Sequence, residues 1–178
     1  MRTLAALLLL VLCSCGTTRV SANLGQAEMD EDMKPANTPT LAGIEVSDVP
    51  DDGGLGWEAG GHWGRDTTTT AGDSLTTELW EGYAGPRYEF RHGNFAPYLS
   101  GGASVVTVHG AFPDKGSTET SRDTDLGLYL GAGVDWDIAH FWMIGLGVRK
   151  TFDQELTLAG VTGNADAWQF LFRFGVSY

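Results

Sequence analysis

The sequence predicts an all-β fold, an antiparallel up-and-down transmembrane β-barrel in which six strands can be recognised directly. Three observations predict it: six segments alternate apolar with small or polar residues, aromatic residues gather near the segment ends, and the links between segments alternate in length. The clearest segment is AWQFLFRFGVSY, residues 167–178, in which every second residue is large and apolar. Because successive side chains of a strand point to opposite faces, this segment has one aromatic face and one mostly polar face. Such a strand suits a position between hydrocarbon and a polar lumen.

The first fifteen residues have the pattern of an export signal. They contain one basic residue, an apolar run and then small residues. The run is too short to cross a bilayer as a helix and fits a secretory signal. The sequence LCSC at its end resembles the lipobox of bacterial lipoproteins, which implies that residues 1–14 are removed and that Cys15 carries a lipid anchor. The alternative is an ordinary cleaved signal in which both cysteines are incidental.

Residues 15–53 are acidic, and we expect them to form a lipidated, flexible, periplasmic linker before a barrel at residues 54–178. From Gly16 to Gly53 the chain has eight carboxylates against two basic residues, which favours a solvated tether that stays unfolded. Residues 41–49 are open to two interpretations, a short strand or a segment packed at the barrel mouth. The whole chain has a net charge of −12, so it lacks the basic surface that nucleic acid requires.

Five further segments repeat the alternation of the last one, namely residues 55–65, 78–90, 95–109, 125–138 and 141–152. Six such segments in series strongly favour a membrane barrel. The links after the first, third and fifth segments are long and polar, and they cover residues 66–77, 110–124 and 153–166. The other two links, residues 91–94 and 139–140, are tight. Outer-membrane barrels have long extracellular loops and short periplasmic turns, so we expect the long links outside the cell.

Large aromatic residues occupy outward positions near both ends of the strands. The residues for which we expect an interfacial role are Trp57, Trp63, Trp80, Tyr88, Trp136, Trp142, Trp168 and Tyr178. Ten residues of a strand tilted by about 40° span roughly 25 Å, the height of the apolar band of such barrels. Aromatic residues at that spacing indicate girdles at the two membrane–water interfaces.

This pattern, together with the aromatic C-terminal residue Tyr178, resembles the small outer-membrane β-barrels of bacteria, such as the membrane domain of OmpA. The resemblance implies eight strands and a location in the cell outer membrane. It also implies outer-membrane lipids, the barrel-assembly machinery and, for a lipidated chain, the lipoprotein-sorting machinery as partners. The long loops would be the surface open to an extracellular ligand. Only six strands can be recognised in the sequence, whereas the family has eight. Three explanations stay open: a missed hairpin, association of chains, or an unusually narrow lumen.

Charged residues fall on the inward faces of the strands, where we expect them to form one network. Its predicted members are Glu58, Glu81, Arg87, Glu89, Asp125, Asp135, Arg149 and Arg173. Paired carboxylates can serve general acid–base catalysis. In a narrow barrel, however, buried charges must be paired, which favours a network of salt bridges that fills the lumen instead of an open pore. We expect no metal site and no cofactor, because no cluster of His, Asp and Glu has the spacing of metal ligands.

The sequence leaves three functions in competition. The first, which we predict, is a structural or surface-interaction role for a lipid-anchored outer-membrane barrel. The second is a lipid A-modifying enzyme in which His62 or His109 acts near the outer rim, although the chain has no match to the local motifs of such enzymes. The third is a lipid-tethered periplasmic barrel that binds an apolar ligand, as lipocalins do.

Overall fold

The computed structural model describes residues 16–29, 38–70, 73–114, 117–139, 141–158 and 161–178, so the predicted signal and Cys15 lie outside the described residues. Its strands are β1 (Gly16–Met29), β2 (Thr40–Pro50), β3 (Gly54–Thr70), β4 (Asp73–Glu89), β5 (Phe95–Asp114), β6 (Ser117–Ala139), β7 (Trp142–Phe152), β8 (Glu155–Leu158), β9 (Val161–Asn164) and β10 (Ala167–Ser177). Eight strands close an antiparallel barrel in the order β1-β10-β7-β6-β5-β4-β3-β2, and β8 pairs with β9 in a separate hairpin. This confirms the predicted barrel and the strand number that the resemblance implies.

The linker predicted at residues 15–53 is wrong wherever the structure describes it, because two barrel strands lie there. β1 pairs with β2 on one edge and with β10 on the other, and these two contacts close the barrel. The prediction failed because residues 16–53 contain no Phe, Trp or Tyr, so the outward faces carry only smaller residues such as Ala22 and Leu24. Glu45, counted as part of a solvated tether, is 3% exposed and faces the lumen. A missed hairpin is therefore the correct alternative, and the barrel begins at Gly16.

The two ends of the barrel differ in the length of their connections. Connections of at most five residues follow β2, β4 and β6, and we call this end the turn end. At the opposite end, the hairpin end, β3 stays paired with β4, and β5 with β6, up to two-residue connections. The links predicted at residues 66–77 and 110–124 are therefore mainly extended strand, which agrees with the strand preference of their many threonines. The third predicted link, residues 153–166, contains the β8–β9 hairpin.

The barrel wall has an apolar outer face and a mixed inner face. All eight predicted interfacial aromatics lie on the outer face, with exposed fractions from 37% for Trp57 to 68% for Tyr178. Inside, toward the hairpin end, a group of buried apolar side chains forms what we call the apolar cap: Ala27, Met29, Leu41, Leu79, Val106, Val108, Leu156, Ala165, Ala167 and Leu171. Leu156 belongs to β8, so the β8–β9 hairpin folds back over the lumen. Among the described residues, no helix has the length and hydropathy needed to span a membrane.

Candidate functional site

Charged side chains meet in the lumen because they occupy inward positions of different strands. Arg87 of β4, Asp135 of β6 and Arg173 of β10 are distant in sequence but face a common interior. Arg87 Nη2 lies 2.5 Å from Asp135 Oδ2, and Arg173 Nη1 lies 2.9 Å from Asp135 Oδ1. Both carboxylate oxygens of this fully buried aspartate are therefore used by guanidinium groups. Charge-assisted hydrogen bonds of this kind are stronger than neutral ones.

Glu45 and Glu58 extend this cluster across the barrel. Arg173 also donates to Glu45, and Arg87 Nη1 lies 3.4 Å from Glu45 Oε1 and 3.4 Å from Glu58 Oε2. Arg149 Nη2 lies 3.7 Å from both Glu45 Oε2 and Glu58 Oε1. Together with the aspartate of β6, three buried carboxylates balance three buried guanidinium groups. The centre of the lumen is thus close to neutral, as burial of charges requires.

Tyrosine rings fill the space between these charges. The Arg87 guanidinium carbon lies 3.6 Å from the centroid of the Tyr98 ring, and that of Arg149 lies 3.5 Å from the centroid of the Tyr83 ring. The Tyr83 hydroxyl donates to Glu45 Oε2 at 2.7 Å. A guanidinium over an aromatic face gains cation–π attraction in addition to its ion pairs. The rings and charges therefore form one packed layer.

A second group of ion pairs continues the network to the turn end. Arg19 of β1 pairs with Glu89 of β4, and its Nη2 lies 3.5 Å from Asp137 Oδ2. Arg91 Nη2 lies 2.5 Å from the same Asp137 oxygen. Arg19 and Glu89 are 1% and 2% exposed, whereas Arg91 and Asp137 are half-buried at the mouth. The network therefore reaches from the middle of the lumen to its rim.

His62 lies on the hairpin side of the network, in a polar layer below the apolar cap. Its Nδ1 lies 3.4 Å from Glu81 Oε2, and its Nε2 lies 3.3 Å from Asn23 Nδ2. Gln169 Nε2 donates to Glu81 Oε2 at 2.6 Å, and Ser104 Oγ donates to Glu81 Oε1 at 3.2 Å. The serine thus binds the carboxylate instead of the histidine, so these three groups do not form the serine–histidine–acid order of a nucleophilic triad.

Seven of the eight predicted network residues lie inside the barrel and are at most 4% exposed: Glu58, Glu81, Arg87, Glu89, Asp135, Arg149 and Arg173. The eighth residue, Asp125, does not belong to the network, so its prediction was wrong. Its Oδ2 accepts the backbone N–H of Glu155 at 2.7 Å at an exposed site. It lies beyond the closed wall, because β7 pairs with β6 only from Leu128 onward.

Sequence reasoning missed Arg19 and Glu45 as members of the network. Both lie in the segment expected to be a linker. A signal was present, since Arg19, Ser21 and Asn23 alternate with small or apolar residues. Alternation without an aromatic face was too weak to distinguish a strand from a polar tether.

The predicted interfacial aromatics form two levels on the outer face. Trp57, Tyr88, Trp136, Trp142 and Tyr178 lie toward the turn end, and Trp63, Trp80 and Trp168 lie toward the hairpin end. Trp63 and Trp80 are paired across strands, with ring centroids 6.4 Å apart. Trp57 and Trp63 lie on the same strand, β3, and at ~3.3 Å per residue they are about 20 Å apart along it. Two aromatic levels with apolar residues between them suit a membrane-spanning wall.

The two candidate catalytic histidines lie far apart in the fold. His62 is 2% exposed inside the lumen. His109 lies on the outward side of β5 beyond the closed wall, in a groove of about 340 Å³ that Glu78, Ser121 and Arg122 also line. Across the described residues, no group of three or more His, Cys, Asp or Glu could hold a metal ion.

Solved structures of other proteins share this fold. Ail of Yersinia pestis, in complex with the heparin analogue sucrose octasulfate, has a TM-score of 0.64 at 12% identity over 92% of this chain and 99% of that chain. Neisserial surface protein A has a TM-score of 0.63 at 15% identity over 93% of this chain and 98% of that chain. OprG from Pseudomonas aeruginosa has a TM-score of 0.64 at 12% identity over 93% of this chain and 97% of that chain. The outer membrane enzyme PagL has a TM-score of 0.50 at 14% identity over 89% of this chain and 98% of that chain.

At these identities the likeness shows the fold alone. No curated protein matches the sequence significantly. Among protein families, the one described as outer membrane protein beta-barrel domain matches residues 5–178, which include β1 and β2 as well as the six strands with aromatic faces. With a closed antiparallel wall and an apolar outer face, the chain belongs to this family of outer-membrane β-barrel proteins.

Proposed function

We propose that this outer-membrane barrel has a structural or surface-interaction role, with a lumen closed by its charged network. The observation that carries the proposal is the burial of Arg87, Asp135 and Arg173, each at most 1% exposed in the middle of the barrel. Short turns face the periplasm in this class of barrel, so the turn end is periplasmic and the hairpin end is extracellular.

The energetics of the network support a closed lumen. Removing one partner from a buried ion pair costs about 3–5 kcal/mol, because the other charge is left uncompensated. An ion on its way through would have to separate the Arg19–Glu89 pair and then the Arg173–Asp135 pair. The apolar cap adds a second barrier, since an ion in an apolar layer loses its hydration.

The extracellular hairpins support the surface part of the role. Their sequences, residues 65–78 and 110–125, contain seven carboxylates against three Lys or Arg. The Ail structure contains a sulfated sugar, which is a polyanion. The acidic hairpins of this chain would repel such a ligand, so their charge favours a neutral or cationic partner.

Ion conduction in a planar lipid bilayer tests the closed lumen. The purified full chain, checked for folding by its heat-modifiable gel mobility, should insert without producing current steps, while an open porin in the same bilayer conducts. A stable current proportional to voltage from the wild-type chain would overturn the proposal.

Lipidation of Cys15 remains part of the proposal. Gly16, the next residue, begins β1 at the periplasmic end, where the Thr18 N–H donates to the Tyr178 carbonyl at 2.9 Å. Acyl chains on Cys15 could therefore enter the inner leaflet beside the wall, and several chains on one residue anchor stably. Labelling with radioactive palmitate tests this: the wild type and Cys13→Ser should be labelled and Cys15→Ser should not. An unlabelled wild type would contradict lipidation.

A lipid A-modifying activity is the second candidate, favoured by the outward groove in which Glu78 and Arg122 are the register neighbours of His109. PagL, an outer membrane enzyme, shares the fold. His62 is enclosed in the lumen, so His109 is the better candidate. Mass spectra of lipid A from cells with and without the protein should differ if it is an enzyme, and His109→Ala should abolish the difference. Identical spectra remove the candidate.

The lipocalin-like alternative has no support. A barrel that binds an apolar ligand needs an apolar interior cavity. Here all six tryptophan side chains face outward, and the middle of the lumen is occupied by ion pairs and the tyrosine rings packed against them.

A further inference from the structure

We infer that Lys150 binds a phosphate group of the glycolipid in the outer leaflet, and that an acyl chain of the same lipid lies in the adjacent apolar groove. The outward residues of β7 are Trp142, Ile144, Leu146, Val148, Lys150 and Phe152. Lys150 is therefore a cation on a face that otherwise meets hydrocarbon. A charge in that position is costly unless it lies at the interface and finds a partner there.

The height of Lys150 places it at the outer interface. It pairs in register with Trp168, a member of the aromatic level at the hairpin end. The eight residue-to-residue steps from Trp142 to Lys150 cover ~26 Å of strand, or about 20 Å along the membrane normal at a tilt of about 40°. The ammonium group thus lies at the level of the lipid headgroups on the extracellular side.

The surroundings of Lys150 hold its ammonium group without neutralising it. Nζ lies 5.7 Å from the centroid of the Trp168 ring and 6.0 Å from that of Phe152. Among the described residues, the ammonium group of Lys150 contacts these two rings, and no carboxylate forms an ion pair with it. Glu28 lies beyond Trp168 on β1, about two strand spacings or 10 Å away. An anion from outside the protein would complete the site, and lipid phosphates lie at this level.

An apolar groove of about 790 Å³ begins one strand away from Lys150, at its register neighbour Leu130. Gly101 forms part of its floor, Leu130 and Phe152 stand on one side, and Leu55 and Tyr88 stand on the other. Leu130 is the register neighbour of Lys150 on one edge and of Gly101 on the other, so the near side of the groove lies one strand from Lys150 and its floor two strands away. Cation and groove together match an amphiphile with an anionic head.

The kind of ligand follows from the charge of Lys150, the apolar lining of the groove and the position of both at the outer interface. The groove lies on the outer face of the barrel, which rules out a soluble anion as the complete ligand. The headgroup end faces the extracellular side, where the outer leaflet consists of phosphorylated glycolipid. A lipid A phosphate on Lys150 and one acyl chain over Gly101 would satisfy both parts of the site.

Native mass spectrometry of the full chain in a neutral detergent tests the inference. Bis-phosphorylated lipid A should bind the wild type and Lys150→Arg with similar dissociation constants and bind Lys150→Gln about tenfold more weakly. Arg65→Gln removes an exposed outward cation away from the groove and should leave binding unchanged. Heat-modifiable gel mobility of each variant shows that it is folded.

Three outcomes would overturn the inference. Equal binding by Lys150→Gln and the wild type excludes the lysine. Equal binding of dephosphorylated lipid A excludes the phosphate. Phosphatidylglycerol or inorganic phosphate that competes as well as lipid A would exclude the glycolipid as the specific occupant.

Discussion

At the scale of single residues, the lumen depends on carboxylates that each serve more than one arginine. Asp135 binds Arg87 with one oxygen and Arg173 mainly with the other. The sequence could predict that these residues face inward, because strands alternate their faces. It could not predict their pairing, because that depends on the register of β4, β6 and β10, which are distant in sequence.

Asp135→Asn should lower the free energy of unfolding by about 3 kcal/mol, because two buried guanidinium groups lose the charge they share. Urea unfolding in lipid vesicles, followed by tryptophan fluorescence, measures this free energy. Asp153→Asn is the matched control, since Asp153 is exposed and its φ of 59° is a conformation that Asn tolerates. Equal midpoints for Asp135→Asn and the wild type would show that the shared ion pair does not stabilise the barrel.

At the scale of elements, two acidic side chains of β6 hold the β8–β9 hairpin over the lumen. Asp123 Oδ2 accepts the N–H of Thr157 at 2.6 Å, and Asp125 Oδ2 accepts the N–H of Glu155 at 2.7 Å. Between these contacts, Leu156 inserts into the apolar cap. The sequence predicted a loop here, because four-residue strands that pair only with each other leave little periodic signal. It also placed Asp125 in the lumen, because the alternation of β6 does not show where the closed wall ends.

Attachment of the hairpin should depend on pH through Asp123. The backbone N–H groups of Thr157 and Thr124 lower the pKa of this exposed carboxyl group below its ordinary value of 3.8. The contact therefore contributes fully above that value and is lost as the pH falls through the lowered pKa. In NMR spectra, the Thr157 amide shift should titrate below pH 3.8 in the wild type and not in Asp123→Asn. A titration midpoint at or above the ordinary value would contradict the hydrogen bond.

At the scale of the whole molecule, the sequence pattern did not predict the two strands that close the barrel wall. β3 to β7 and β10 are predictable because each has an apolar outer face, and five of the six carry Trp or several aromatic residues on it. β1 and β2 provide the missing neighbours for β10 and β3. Their outward residues in the middle of the wall, such as Ala22, Leu24 and Ile44, are small or aliphatic, which lipid accepts but which no sequence pattern marks strongly. Recognition of the family supplied the strand number that residue patterns alone did not.

Deletion of residues 16–53 should abolish folding, whereas a flexible linker would be dispensable. Without β1 and β2, one edge of β10 and one edge of β3 would expose unpaired backbone groups to hydrocarbon, at a cost of several kcal/mol for each group. Refolding into lipid vesicles, scored by heat-modifiable gel mobility and protease resistance, should therefore fail. A circular permutant that joins Tyr178 to Gly16 and begins at Gly53 keeps all eight strands, and it should fold because the Thr18 N–H already lies 2.9 Å from the Tyr178 carbonyl. If the deletion variant folds as well as the permutant, six strands suffice to close the wall, and β1 and β2 are not required for closure.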